Sequence, residues 1–479
     1  MSSIKNNFFY SSILTTANYF FPFLTFPYVS RVLGVTNVGI VNFVDSVIHY
    51  FILFSMMGIS IVGIREIAKC KKNKEELNRT FNSLFWLNTL STSTALIILI
   101  VLTLGVAQLR IHWQMMLIGG LKLMCNYLLI EWFYKGLEEF KYITVRTLIV
   151  KSVYVIAVFL LVRSSSDYLI YYLLITLMIT VNAVINLIYS RHFVQWRLRK
   201  VDIARFLSPF LMLGVYSLLT SMYTSFNVTY LGFVCGETEV GYYATASKIY
   251  KILIALFSAF TSVMLPRMSS LLAEDKIDEF KSLLRKSVNI LFSFSIPLIT
   301  FTIVYAPTII NIIAGKGYEG SVLPMRIMMP LMLIIGYEQI LIVQTLMPLN
   351  KDNDVLRNSI YGAIAGIILN IVLVSYFASV GSSIVWLLSE TAVLCSGQYY
   401  VYKYVGLRFP WKTLYKQIFY YLPLALILLY IASYHNDLIS FSCAILLTFG
   451  YFVLLNTVIF PDKIIQDMIM KIYQNINGQ

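Results

Sequence analysis

Two lysines stand three residues apart in a strongly apolar stretch of the chain. Lys248 and Lys251 share one face if this stretch is helical, because residues three apart are neighbours on a helix surface. A charge at the bilayer centre costs about 2.5–3.5 kcal/mol on insertion scales, so such residues normally face a polar cavity or a partner. The pair predicts a cationic cavity for an anion such as phosphate or pyrophosphate, or ion pairs with buried acids such as Asp45 or Glu338.

Other polar residues in apolar stretches extend this prediction. Arg31 ends the first stretch, where it could add a bidentate fork for an anion or reach the membrane interface. Tyr223 and Asn227 could contact sugar hydroxyls and ring faces, or take part in ordinary helix packing. The predicted substrate-binding residues are therefore Arg31, Lys248, Lys251, Tyr223 and Asn227.

Three acids are candidates for ion coupling. Asp45, Glu338 and Glu390 lie inside apolar segments, where each could bind a proton or cation or could neutralise a lysine. The five cysteines and four histidines are dispersed without the spacing of metal ligands. The sequence also contains no phosphate-binding loop motif for ATP. We therefore expect no catalytic residues, no metal and no cofactor.

The composition explains why these residues must lie in a membrane. Of 479 residues 58% are hydrophobic and 13% charged, with a mean hydropathy of +0.76. A soluble domain carries about 25% charged residues, so this chain has too few polar residues to coat a soluble core. The net charge of +14 fits the Lys and Arg enrichment of cytoplasmic loops and does not require nucleic acid as a partner.

The apolar segments predict an all-α polytopic membrane protein. One crossing needs about 20 apolar residues, which gives about 14 transmembrane helices here. The predicted spans are 8–33, 38–64, 81–105, 112–134, 147–163, 167–190, 206–234, 240–266, 287–314, 324–348, 358–378, 383–404, 416–433 and 439–460.

Charge alternates between the gaps that separate these spans. Every second gap is basic, as in 65–80, 191–205 and 405–415, whereas the opposite side carries only Arg110, Arg163 and Lys316 among its basic residues. Cytoplasmic loops collect Lys and Arg, so the pattern predicts that both termini are cytoplasmic.

A short internal repeat divides the chain. The hexapeptides 34–39 (GVTNVG) and 236–241 (GETEVG) follow the first and seventh spans and share Gly, Thr, Val and Gly. The same offset places Arg65 on Arg267. Six spans per repeat give both copies one orientation. We expect a six-helix lobe over 1–205, a second over 206–404, and an extra helix pair with a cytoplasmic tail over 405–479.

The first span also carries a family signature. The segment 21–34 (FPFLTFPYVSRVLG), followed by Gly39, resembles Wzx-type polysaccharide flippases of the multidrug/oligosaccharidyl-lipid/polysaccharide exporter superfamily. The ends of span 2 (GIREIA, 63–68) and span 4 (EWFYKG, 131–136) resemble the same family. These motifs lie in the N-terminal third, and the C-terminal half matches only in architecture.

The resemblance implies a V-shaped, MATE-like fold with two lobes and alternating access. It implies transport of an undecaprenyl-diphosphate-linked oligosaccharide, an O-antigen or capsule repeat unit, from the cytoplasmic to the periplasmic leaflet of the bacterial inner membrane. Membrane lipids and polysaccharide biosynthesis proteins would be partners. Arg31, within 30–34 (SRVLG), matches a motif whose cavity arginines contact the diphosphate in related flippases.

Two alternatives remain open at this point. A multidrug exporter of the same fold expels cations and should favour buried acids over the lysines at 248 and 251. A membrane polysaccharide polymerase would need a sizeable periplasmic loop with catalytic groups, and the predicted periplasmic gaps are short.

Overall fold

The computed structural model describes residues 4–196, 201–434 and 438–459. These residues are almost entirely helical, because a helix satisfies its own backbone N–H and C=O groups where no water is present. The helices, α1 to α19 in chain order, are Ile4–Met56, Ile59–Cys70, Lys74–Gly105, Ala107–Ile111, Trp113–Tyr127, Glu131–Gly136, Phe140–Leu161, Tyr168–Ser190, Ala204–Thr224, Phe226–Cys235, Glu237–Ala273, Ile277–Val304, Ala306–Ile313, Val322–Met328, Leu331–Leu341, Asp352–Leu369, Ser375–Val405, Trp411–Tyr434 and Leu438–Leu454.

Eleven helical runs within the described residues are long and apolar enough to cross a membrane. The longest two, Phe9–Cys70 and Asp352–Val405, have 62 and 54 residues, far more than the roughly 20 that one crossing needs. The polytopic α-helical class is thus confirmed. The count of about fourteen crossings stays a prediction, and the predicted tail after the last span lies outside the described residues.

Backbone breaks interrupt the long helical runs. Gly34, inside α1, has φ 75° and ψ 168°, and Gly236, between α10 and α11, has φ 87° and ψ 178°. Positive φ is readily accessible to glycine, which has no Cβ. The two glycines occupy the same position in the predicted repeat. Each break therefore separates the first apolar segment of its copy from the second.

The chain packs as two units. Unit 1 comprises 1–244, 313–317 and 367–382, and unit 2 comprises 245–312, 318–366 and 383–479. Helix α11 contributes residues to both units. This division by packing does not follow the boundaries at 205 and 404 expected from the repeat, and those lobe boundaries stay a prediction.

An aromatic core holds unit 1 together where α2, α3 and α6 meet. Phe81 and Trp132 stack with ring centroids 5.8 Å apart, and Phe133 packs edge-on against Phe81 at 4.8 Å. A Cβ on Gly63 would lie 2.5 Å from the Trp132 ring. This glycine therefore allows the close approach of α2 to α6.

In unit 2, the C-terminal helix pair packs against α12. Gln417 Nε2 on α18 donates to Ser293 Oγ at 3.0 Å, and Tyr421 Oη donates to the Ser293 carbonyl at 3.1 Å. Helix α19 also packs against α12 and α18. The pair predicted as an addition to the second lobe is thus part of the packed core of unit 2.

Candidate functional site

The two copies of the repeated hexapeptide pack against each other in unit 1. Thr36 Oγ1 lies 2.9 Å from Thr238 Oγ1, and these threonines are 202 residues apart, which is the offset of the repeat. A Cβ on Gly39 would lie 1.7 Å from the carbonyl oxygen of Glu237, and a Cβ on Gly241 would lie 2.2 Å from that of Val35. The contact is reciprocal, as expected around a pseudo-two-fold axis. We name it the repeat junction.

In each copy of the repeat, the residue at one equivalent position also forms a hydrogen bond to a connecting segment that follows later in the chain. Asn37 Nδ2 donates to the Ser165 carbonyl at 2.8 Å, in the connection between α7 and α8. Glu239 Oε2 accepts from the Ser379 N–H at 3.1 Å, near the backbone break at Ala378 in α17. Asn37 and Glu239 are again 202 residues apart. The repeat is therefore visible in hydrogen bonding as well as in the sequence.

Arg31 lies close to the repeat junction, three residues before Gly34. Its side chain is exposed, and its Nη1 donates to the Pro27 carbonyl at 2.7 Å. A Cβ on Gly315 would lie 2.9 Å from Arg31 Cγ, so the arginine stem passes directly over this glycine. The guanidinium is accessible to an anion on its exposed side, and its role in substrate binding stays a prediction.

Asn227 is placed in a buried network and not on an open surface. Its side chain is fully buried and donates to Tyr243 Oη at 3.3 Å and to the Ser382 carbonyl at 3.4 Å. Asn370 Nδ2 donates to Asn227 Oδ1 at 2.8 Å. Tyr223 is also buried, at 6% exposure. In this conformation both predicted sugar contacts belong to the packing of unit 1, as the packing alternative proposed.

Asp45 has a basic partner in unit 1, but this partner is neither of the two predicted lysines. Lys122 Nζ on α5 donates to Asp45 Oδ1, and the lysine is nearly buried whereas the acid is half exposed. The lysine also lies 5.9 Å from the centroid of the Tyr172 ring. Asp45 is thus half of an intramembrane ion pair.

The two lysines of α11 lie in unit 2. Lys248 is half-buried and Lys251 is accessible to solvent. Lys251 Nζ lies 5.9 Å from the centroid of the Trp386 ring on α17. An ammonium over an indole face is stabilised by roughly 0.5–2 kcal/mol, depending on its hydration. The structure thus gives Lys251 an aromatic neighbour, and the cationic-cavity role of both lysines stays a prediction.

Glu338 and Glu390 lie together in unit 2, although 52 positions separate them in the sequence. Their carboxyl groups lie close enough to interact, and Trp386 Nε1 donates to Glu390 Oε1 at 3.0 Å. Tyr250 lies beside both acids, and its ring packs edge-on against Trp386 at 5.1 Å. Two ionised carboxylates repel each other at short range, so this proximity favours the binding of a proton by one of them.

Several residues of these networks were not predicted as site residues. Lys122, Trp386 and Tyr250 each contact a predicted acid or lysine. The sequence signal was available only for Lys122, as a charge inside a predicted span. In the sequence, Trp386 and Tyr250 do not differ from other aromatic residues of apolar segments. Only the packing of the helices brings them to the acids.

Glu131, the first residue of α6, has its own partners. Glu131 Oε1 accepts from Arg146 Nη2 at 3.0 Å, and Glu131 Oε2 lies 3.3 Å from Lys135 Nζ. Arg146 also donates to Asn186. Glu131 and Lys122, nine residues apart, therefore have different partners.

The loop between α11 and α12 lies on the basic side of the sequence pattern. Lys276 Nζ lies 2.8 Å from Glu274 Oε2, and Ser270 Oγ donates to Glu274 Oε1 at 2.8 Å. The hydrogen bond from Lys276 holds the pKa of Glu274 below its usual value. This loop therefore stays charged at neutral pH. Within the described ranges, no three His, Cys, Asp or Glu side chains form a group that could hold a metal ion.

The fold of the chain is similar to that of solved transporters. The lipid II flippase MurJ in an inward closed conformation superposes with a TM-score of 0.78 at 14% identity, over 95% of this chain and 99% of that chain. An inward-facing multidrug resistance MATE family transporter of the MOP superfamily superposes with a TM-score of 0.65 at 12% identity, over 81% of this chain and 94% of that chain. The MATE-like fold is thus confirmed.

Sequence relatives are consistent with the resemblance of the first span. A protein of Escherichia coli (strain K12) named as an O-antigen transporter is 25% identical over 396 residues, which cover 82% of this chain and 95% of that protein. Residues 4–272, more than half of the chain, match the model of a family described as polysaccharide biosynthesis protein. The chain belongs to this polysaccharide biosynthesis protein family.

Proposed function

We infer that this multi-pass membrane protein is a transporter that flips a lipid-linked oligosaccharide from one leaflet to the other. One observation carries this conclusion: the protein of Escherichia coli named as an O-antigen transporter is similar over 95% of its own length. The MurJ-like fold over 95% of this chain is consistent with it.

We propose a more specific substrate and direction. The lipid would be undecaprenyl diphosphate carrying an O-antigen or capsule repeat unit, moved from the cytoplasmic to the periplasmic leaflet of a bacterial inner membrane. The basic gaps support cytoplasmic termini. Each negative charge that moves outward gains about 2.3 kcal/mol per 100 mV of inside-negative potential. An anionic head group would therefore be driven in this direction.

We propose that cationic side chains receive the diphosphate. Arg31 presents an exposed guanidinium beside the repeat junction, and Lys251 presents an exposed ammonium over Trp386. Lys248 shares the face of Lys251, one helical turn away. Tyr223 and Asn227 would contribute to sugar binding only after unit 1 rearranges, because both are buried in this conformation.

We propose that carboxyl groups provide the coupling to an ion. Glu338 and Glu390 are the best supported candidates, because the two acids lie beside each other on apolar helices, where they would bind one proton between them. Asp45 is a weaker candidate since Lys122 already neutralises it. Polysaccharide biosynthesis proteins would be the partners that supply and consume the lipid-linked sugar.

The test is a proteoliposome assay with undecaprenyl-diphosphate oligosaccharide on one leaflet. Wild type is expected to move the lipid, and Arg31→Ala and the double variant Lys248→Ala/Lys251→Ala are expected to move it at least ten-fold more slowly. Arg191→Ala, at an exposed loop position, is the control. Variants that match this control would contradict the site assignment but not the function. Export of organic cations by a wild type that moves no lipid would identify a multidrug exporter.

A further inference from the structure

Unit 2 contains a cavity of about 320 Å³. It lies at the helix ends that border the basic gaps 267–286 and 405–415 of the sequence. Its volume is at the lower limit of about 300 Å³ for pockets that hold small molecules. The cavity lies where α12, α15 and the connection from α17 to α18 meet. Its walls are largely apolar and are formed by Leu284, Val288, Ile340, Leu341 and Val401.

Two arginines line the cavity from different elements. Arg285 lies in α12, and Arg408 lies in the connection from α17 to α18; both side chains are exposed. Arg408 packs over the ring of Tyr402, with 5.7 Å from its Cζ to the ring centroid. In the part of the chain that the structure describes, neither guanidinium forms an ion pair with a carboxylate. Their charge is therefore available to an external anion.

Hydrogen bonds hold the Arg408 side of the cavity in place. Tyr337 Oη, on the cavity wall, donates to Gln398 Oε1 at 2.7 Å, and Gln398 Nε2 donates to the Leu407 carbonyl at 2.8 Å. The Tyr337 ring also packs edge-on against Phe409 at 5.0 Å. The residues on both sides of Arg408 are thus attached to helices α15 and α17. The arginine is presented from an ordered segment, which lowers the entropy cost of ligand binding.

The combination of apolar walls and two guanidinium groups selects an anionic amphiphile. Guanidinium groups match the geometry of phosphate oxygens and bind them bidentately. Basic pockets between helices at the cytoplasmic side of membranes bind anionic lipid head groups. A free phosphate ion would use the arginines but would leave the apolar walls uncovered.

We propose that this cavity binds the head group of an anionic phospholipid, with the phosphate between Arg285 and Arg408 and the glycerol and first acyl carbons against Val288 and Leu341. The bound lipid would connect α12 to the segment between α17 and α18. The site differs in residues from those proposed for the transported lipid, so it does not depend on the identity of the substrate.

The test is native mass spectrometry of the full chain released from detergent with added phosphatidylglycerol or phosphatidylcholine. One phosphatidylglycerol is expected to remain bound in preference to phosphatidylcholine. Arg285→Gln and Arg408→Gln are each expected to weaken its binding about ten-fold, whereas Arg191→Gln, an exposed arginine of unit 1, is expected to leave it unchanged. Equal retention by all three variants would overturn the proposal.

A second variant distinguishes lipid binding in the cavity from lipid binding to surface charge. Thr413→Trp keeps both arginines but fills the cavity from its half-buried rim. It is expected to weaken phosphatidylglycerol binding about as strongly as loss of one arginine. Unchanged binding in this variant would show that the lipid adheres to surface charge alone and would overturn the cavity site. Preference of the site for undecaprenyl-diphosphate oligosaccharide over phosphatidylglycerol would overturn it as well.

Discussion

The hydroxyl oxygens of Thr36 and Thr238 lie 2.9 Å apart, although the two residues are separated by 202 positions. Equivalent positions of a repeat can touch only at the symmetry axis that relates the copies. The threonines therefore mark this axis in unit 1. Since the first and second segments of each copy join here, we expect the two threonines to separate when the protein opens at this end.

A disulfide at the axis should stop transport. Thr36→Cys and Thr238→Cys together are expected to form a disulfide under mild oxidation. The side-chain oxygens of these threonines lie 2.9 Å apart, and bridged cysteines need Cβ atoms about 3.5–4.5 Å apart. Lipid flipping should fall at least ten-fold and should recover with a reductant. The measurement is the proteoliposome assay with and without reductant, in a chain with Cys235→Ala because this native cysteine is adjacent. Undiminished flipping by the cross-linked protein would show that this junction does not open during transport.

A methyl group added at the repeat junction should lower the stability of the protein more than a methyl group added elsewhere. Gly39→Ala places a Cβ 1.7 Å from the Glu237 carbonyl oxygen, so the backbone must move apart. Overpacking of this kind costs about 1–3 kcal/mol, measured as a lower thermal midpoint. Gly120→Ala is the control, since the nearest atom to its Cβ would be 3.9 Å away, in ordinary contact. The glycine packing would be irrelevant to stability if both variants had the same midpoint.

The ion pair between Asp45 and Lys122 should behave as a coupled unit. Lys122→Met is expected to destabilise unit 1 by about 1–3 kcal/mol, less than for a fully buried pair because Asp45 is 39% exposed. Asp45→Asn in addition should restore about half of this loss, since no unpaired charge remains. Unfolding by SDS titration measures the double-mutant cycle. Additive losses would show that the two charges do not interact.

Neutral isosteres of Glu338 and Glu390 should separate packing from proton binding. The double variant Glu338→Gln/Glu390→Gln can keep a hydrogen bond between the side chains but carries no exchangeable acid proton. It should retain its thermal midpoint within a few degrees and lose the stimulation of transport by a pH gradient. Glu279→Gln, an exposed acid, is the control. Full stimulation in the double variant would assign the coupling to other groups.

Local patterns predicted the elements and the repeat, but not the partners. The glycine and threonine matches at 34–39 and 236–241 predicted a repeat, and the reciprocal packing of Gly39 and Gly241 supports it. Asp45 was considered as a partner of Lys248 and Lys251, but its observed partner is Lys122. The actual partner of Lys122 is 77 positions away. Such a pair depends on which helices are neighbours, and one sequence does not contain this information.

The contact between the two acids could not be predicted from the sequence for the same reason. Glu338 and Glu390 were predicted separately because each lies inside an apolar segment. Their contact exists because α15 and α17 present these positions to each other beside Tyr250 and Trp386. Burial of Asn227 could not be predicted either, since two of its three partners, Ser382 and Asn370, are 155 and 143 positions away.

The repeat junction also limits how the gene can diverge. At most contacts a larger side chain can be accommodated when its neighbour becomes smaller. Gly39 faces the backbone carbonyl of Glu237, and Gly241 faces that of Val35, and a backbone carbonyl is present whatever residue is encoded. A smaller side chain at the facing residue therefore cannot make room for a side chain at either glycine. These two codons are confined to glycine as long as the contact is needed.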